Sequence, residues 1–139
     1  MLSNRLEIPI RFSEVDSLRV VWHGHYLKFF EDGREAFGRE FGFGYLDIFE
    51  SDGLAVPIVD LSLQYKRPLE YGDSALVETN FIYTPAAKII FEYKIFSVKH
   101  HYLACTGKSI QVFTDPVNKE LCIVNPPFYE EWKKKHGLG

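Results

Sequence analysis

The stretch "HYLKFFEDGREAFGREF", residues 25–41, decides the architecture. Tyr26, Phe30, Gly33, Phe37 and Phe41 recur at spacings of four and three, and Leu27, Phe29 and Ala36 widen the stripe. This spacing predicts an amphipathic helix from about His25 to Phe41. Lys28, Glu31, Asp32, Arg34, Glu35 and Arg39 fill much of the remaining surface. A helix with so broad an apolar face needs a sheet to cover it. Gly33, inside the stripe, costs about 1 kcal/mol relative to Ala in a helix. Its presence predicts a close backbone approach at that point.

On the N-terminal side, "LEIPIRFS" alternates Leu6, Ile8, Ile10 and Phe12 against Glu7, Pro9 and Arg11, the pattern of a half-buried strand. Pro9 cannot donate to a ladder, which places this strand at an edge or at an irregularity. On the C-terminal side, a Gly-rich connection through residues 42–53 leads into successive strand patterns. "LAVPIVDLSLQYKRP" (54–68) carries Ala55, Val59, Leu61, Leu63 and Tyr65 among its apolar positions. "SALVETNFIY", "KIIFEYKIFSVKH" and "YLACTGKSIQVFT" follow, with turn signals at "YGD", "TPAA" and "HH". Connections this short make the strands antiparallel neighbours. A further short strand is expected at "ELCIV" (120–124), then a helix with Asn125 as N-cap and Pro126 at its first position. Strand, long helix and consecutive strands together give an α+β domain, its helices on one face of an antiparallel sheet.

With 139 residues the chain has room for one core, so residues 1–139 are read as a single domain. Aromatic residues make up 16%, including twelve Phe and eight Tyr, which points to a core or pocket built from rings. A net charge of −3 argues against a general nucleic-acid binder. No apolar run reaches the ~20 residues that span a bilayer, so stable membrane insertion is not expected. "MLSNRLEIPI" lacks the layout of a signal peptide, and a cytoplasmic location is the expectation. Cys105 and Cys122 show no metal-type spacing and read as buried free thiols.

"RFSEVDSLRVVWHGHYLKFFEDGREAF" (11–37) carries the chemistry. It places one carboxylate, Asp16, just ahead of a helix start bearing His23 and His25. This stretch, with the order of elements, resembles the hotdog-fold acyl-CoA thioesterases, in particular the group of 4-hydroxybenzoyl-CoA thioesterase and the YbgC-type enzymes. That family's first motif runs Asp, a short gap, Val-Val-aromatic-His, Asn-Tyr-Leu and an acidic, aromatic helix. "VDLSLQYKRPLEYGD" (59–73) is similar to its second strand and turn, with Tyr65, Arg67, Pro68, Tyr71 and Asp73 in the expected places.

The resemblance implies a long central helix wrapped by a curved antiparallel sheet, with a short C-terminal helix added here. It implies hydrolysis of an acyl-CoA or aryl-CoA thioester by a homodimer or homotetramer, with each active site at a subunit boundary and no cofactor or metal. Asp16 matches the family's nucleophile or general base. His23 matches a histidine assigned to the site in YbgC-type enzymes. Backbone N–H groups around His23 and Gly24 match the oxyanion donors. Lys88 matches a CoA-binding position, and Lys66 and Arg67 are further candidates for the CoA phosphates.

The sequence departs from the family at Phe12, where a tyrosine hydroxyl is missing, at Arg19, where Gly is usual, and at His25, where Asn is usual. Arg in place of Gly is expected to alter the loop, and His in place of Asn removes a good cap. These departures leave open a non-hydrolytic acyl-thioester-binding protein, and acyl carrier protein in place of CoA is a further alternative.

The chemistry also stands on elementary grounds. Thioester hydrolysis needs a base or nucleophile and donors where negative charge develops. A helix start supplies unpaired N–H groups and about half a positive charge. Asp16 equally fits a plain turn or cap residue, and His23 a satisfied surface polar group. His25 is read as structural, and His23 with His25 lacks a third metal ligand. Glu31 is the alternative carboxylate, but Lys28 and Glu35 at helical spacings favour a solvated face.

Overall fold

The apolar stripe forms helix α1 (Tyr26–Phe41), led in by a 3-10 turn at His23–His25. A computed structural model describes residues 2–44, 48, 50 and 52–138 of the chain. Around α1 lie strands β1 (Ser3–Pro9), β2 (Ile58–Tyr65), β3 (Ser74–Ile82), β4 (Lys88–Ser97) and β5 (Leu103–Val112), and helix α2 (Pro127–Lys135). The sheet order is β1-β3-β4-β5-β2 and each neighbouring pair is antiparallel. This is the helix-in-sheet hotdog arrangement that the resemblance implies, although β2 pairs with β5 and not with β3, the neighbour that the short connection between them predicts.

Alternation decides which sheet face α1 covers. Ala75, Val77, Thr79 and Phe81 of β3, and Ile89, Phe91, Tyr93 and Ile95 of β4, are buried on one face. Phe30 stacks on Tyr93 with ring centroids 4.4 Å apart, and Phe37 meets Phe91 edge-on at 4.9 Å. A Cβ at Gly33 would overlap the Thr79 hydroxyl and stand 3.0 Å from Val77 Cγ1. The glycine therefore sets how closely helix and sheet approach, as its place in the stripe predicts. Gly42, with φ 72°, ends α1 by bonding Gly38 O. The indole of Trp132 then takes the Phe41 carbonyl at 2.8 Å, so α2 closes that end.

Five local expectations are corrected. The C-terminal helix starts at Pro127, not Pro126. Pro126 has ψ 145° because the ring of the proline after it excludes the helical region. Asn125 does not cap the helix; its side-chain amide donates to Pro85 O at 2.8 Å. "ELCIV" forms a single bridge, Thr114 to Leu121, and among the described residues no strand pairs with Ile123 and Val124, which are exposed. The run from Leu54 becomes strand only at Ile58, after Pro57, which has no N–H to offer. Phe12 leaves the β1 alternation altogether. It sits in a 3-10 turn, 77% exposed, against the edge of the Tyr71 ring.

The long elements define two ends. The start of α1 lies beside Tyr65 and Leu69, and its end beside Trp132. Lys88 opens β4 at the α2 end, where its carbonyl accepts the Tyr129 hydroxyl.

Candidate active site

Residues 14–22 fold back on themselves just before α1. Val15 bridges Val21, Trp22 N–H donates to Glu14 O (2.9 Å), and Asp16 N–H donates to Val20 O (2.9 Å). Asp16 heads the turn at the tip. Its carbonyl accepts Arg19 N–H, and its Oδ1 accepts Leu18 N–H at 2.8 Å. This is the side-chain turn that Asp favours. Among the described residues Oδ2 makes no protein bond, and the residue is exposed. One oxygen thus holds the turn while the other faces solvent, so the turn and catalytic readings of Asp16 do not exclude each other.

Arg19 keeps the left-handed conformation that a glycine would take, with φ 65°. The expectation that Arg would change the loop is therefore corrected: backbone bonds to Asp16 O and from Tyr71 N–H hold the shape, at the strain of a non-glycine φ. That strain is about 1–2 kcal/mol, against about 0.5–1 kcal/mol of extra unfolded-state entropy for Gly. Arg19→Gly should raise Tm by ~2 °C. A lower Tm in a thermal melt would mean that the Arg19 side chain contributes a contact of its own.

The helix start has its own supports. Tyr65, at the end of β2, donates its hydroxyl to His23 O at 2.6 Å. His25 N–H is taken by Trp22 O at 2.9 Å. The N–H groups of His23 and Gly24 precede His25, the first intrahelical donor, and have no carbonyl a turn ahead; among the described residues neither donates to a backbone carbonyl outside the helix, the arrangement that can stabilise an oxyanion. At Gly24 a Cβ would overlap the Trp22 indole, so that ring packs directly over the glycine. His25 does not cap the helix; its ring turns inward to the buried Glu14, Nε2 to Oε2 2.7 Å.

A cavity of about 220 Å³ opens at this helix start, lined by Val21, His23, Tyr26, Tyr65, Lys66, Arg67 and Pro68. Burial pushes the Tyr26 phenol up to about 12 and raises that of Tyr65, so both hydroxyls stay protonated at neutral pH. Burial likewise pushes the nearby Cys105 thiol up to about 11, which removes it as a thiolate nucleophile. Lys66 Nζ reaches Gln64 Oε1 (2.9 Å), and the Arg67 guanidinium lies 4.0 Å over the Tyr102 ring.

The structure therefore brings His23, Lys66 and Arg67 into one cavity, with Gly24 beside it. Asp16 stands on the neighbouring turn and does not line the cavity within one chain. Lys88 is at the opposite end of the sheet. Glu31 is exposed on α1, in keeping with a solvated face. The roles of Glu14, Tyr26 and the Tyr65 hydroxyl escape sequence reasoning: Tyr26 and Tyr65 meet partners more than forty residues away, and the Glu14–His25 pair, though only eleven residues apart, forms when residues 14–22 fold back; Tyr65 is signalled as an apolar strand position and by the second motif, not by its hydroxyl.

A family model for the thioesterase-like superfamily matches residues 10–132. The chain belongs to this superfamily. Among its relatives, YneP of Bacillus subtilis is 36% identical over 94 residues, covering 68% of this chain and 67% of that protein. The acyl-CoA thioesterase YbgC of Haemophilus influenzae is 31% identical over 97 residues, 68% and 71% of the two chains. A DHNA-CoA thioesterase from Staphylococcus aureus superposes with TM-score 0.86 at 28% identity, over 99% of this chain and 92% of that one. For 4-hydroxybenzoyl-CoA thioesterase from Pseudomonas sp. strain CBS-3 the TM-score is 0.83 at 17% identity, over 95% and 99%. That last likeness shows the fold alone.

Proposed function

We propose that the protein hydrolyses an acyl-CoA or aryl-CoA thioester to the free acid and CoA, at a site completed by a second copy of the chain. The observation that carries this reading is the open helix start at His23–Gly24, set in a cavity with two cations and next to a carboxylate with a free oxygen. The thioester carbonyl points at the His23 and Gly24 N–H groups. As its carbon becomes tetrahedral, the developing negative charge is met by donors already in place. Asp16 either takes a proton from a water whose oxygen adds to the carbonyl carbon, or adds to that carbon itself to give an anhydride that water then hydrolyses; on both routes the C–S bond breaks and CoA leaves as the thiolate. His23 orients the substrate at the cavity wall, and Lys66 and Arg67 receive phosphate oxygens. No metal or cofactor is invoked, and a cytoplasmic location fits a CoA substrate.

The second copy follows from the edge of the sheet. Among the described residues β2 has an unpaired outer edge, with Ile58, Val59 and Tyr65 exposed, and such an edge is a template for pairing. Two β2 strands paired antiparallel about a two-fold axis bring the far end of the partner's sheet to this helix start. Lys88 then reaches the substrate as the partner's Lys88, which accounts for its distance from the site within one chain. Light scattering at micromolar concentration should give a mass of twice 16.1 kDa or a higher multiple. A 16.1 kDa species alone would remove the shared site.

The function is tested by incubating the purified protein with acyl-CoA and aryl-CoA thioesters and following free thiol. Turnover supports hydrolysis. Saturable binding without turnover would replace it with the binding-protein reading, and turnover only of acyl carrier protein thioesters would change the carrier.

A further inference from the structure

Glu14 is a buried carboxylate, 8% exposed, that the hydrolytic scheme does not use. Burying a carboxylate is costly unless each oxygen finds a donor, and both oxygens here do. Oε1 accepts the N–H of Arg11 at 2.6 Å, and Oε2 pairs with His25 Nε2 at 2.7 Å. The backbone of the same residue holds the other strand of the fold-back, since Glu14 O accepts Trp22 N–H at 2.9 Å. Glu14 thus grips three segments: the exit from β1 at Arg11, the root of the turn that carries Asp16, and the 3-10 turn that carries His23 and Gly24. On the opposite side the Tyr65 hydroxyl holds His23 O, so the helix start is clamped between a carboxylate and a phenol.

We propose that Glu14, through His25, is a positioning residue that fixes the Asp16 turn and the His23–Gly24 N–H groups relative to each other. This rests on the reading of that helix start as the oxyanion site. Base and oxyanion donors lie on different segments, and hydrolysis needs both aimed at one carbonyl. A misplacement of about 1 Å can cost on the order of 10²-fold in rate. The acidic side chain is retained for geometry. Its negative charge takes no part in the reaction.

Two substitutions separate these roles. Glu14→Ala releases both contacts, and kcat should fall about 10²-fold with KM within about twofold of the parent, as for an interaction expressed in the transition state. Glu14→Gln keeps the shape. Its amide oxygen accepts Arg11 N–H, and its NH₂ donates to His25 Nε2 in the other tautomer. It should therefore recover most of the parent's kcat. His25→Ala breaks the same contact from the other side and should reproduce the Glu14→Ala loss, and the double variant should lose no more than the worse single one.

An unchanged kcat in Glu14→Ala would overturn the proposal, as would a Gln variant as impaired as the Ala variant, or additive losses in the double variant. If Glu14→Ala does not fold, His25→Ala decides, and a parent-like kcat in it overturns the proposal. If the parent splits no thioester, the functional reading fails by itself. Amide hydrogen exchange at His25, whose N–H is held by Trp22 O, then decides: faster exchange in Glu14→Ala supports the clamp and an unchanged rate refutes it.

Discussion

Asp16→Asn is expected to keep its fold and its affinity for thioesters while losing hydrolysis by about 10³-fold or more, about 4 kcal/mol of transition-state stabilisation. Asn is close in size to Asp and its amide oxygen can take the Leu18 N–H that Asp16 Oδ1 accepts, so the turn survives. What disappears is the charge and basicity of the oxygen that faces solvent. A residue serving only the turn predicts the reverse, with stability and turnover both intact. Glu31→Gln is the control, since an exposed carboxylate on α1 should tolerate the change. An active Asp16→Asn beside an inactive Glu31→Gln would transfer the catalytic role to Glu31. If both variants turn over like the parent, neither carboxylate is the base.

Phe37→Ala carries the largest expected cost in stability, about 3–5 kcal/mol, out of a total of ~5–15 kcal/mol for a domain of ordinary stability. Phe37 is fully buried where α1, the sheet and α2 meet, with ring centroids at 4.6 Å from Phe41, 4.9 Å from Phe91, 6.1 Å from Phe81 and 6.3 Å from Trp132. Rings this crowded cannot collapse into the space left by the substitution, so both the lost burial and the cavity count. Urea unfolding should show a lower midpoint at an unchanged m-value. A loss under about 1 kcal/mol would mean that this junction repacks freely. Because Phe37 lies toward the α2 end, kcat of the folded variant should stay near that of the parent.

Much of the molecule is legible in the order of its residues, because the relevant physics is local. The stripe from Tyr26 to Phe41 forms a helix in any context that covers it. The alternation in β3 and β4 sorts their two faces, and Gly33 marks the contact between the two. Local chemistry also misleads where a neighbour intervenes. Asn125 is a good cap by type, but the Pro126–Pro127 pair moves the helix start past its reach. "ELCIV" has strand composition, but among the described residues its pairing stops at the Thr114–Leu121 bridge.

The site divides along the same line. Asp16, His23 and Gly24 are named as candidates from the sequence because one short stretch resembling the family's first motif holds all three next to a helix start. Their mutual geometry is a different matter. The Glu14–His25 pair, the Tyr65 hydroxyl on His23 O and the cavity shared with Lys66 and Arg67 join residues brought together only by folding. Lys88 shows the limit most clearly. Sequence similarity puts it with the other substrate-binding candidates, whereas the antiparallel sheet carries it to the opposite end, beside Tyr129. Periodicity is a property of neighbouring residues and survives in a list of letters. Proximity across a sheet depends on register and strand order, and those exist only once the chain has closed on itself.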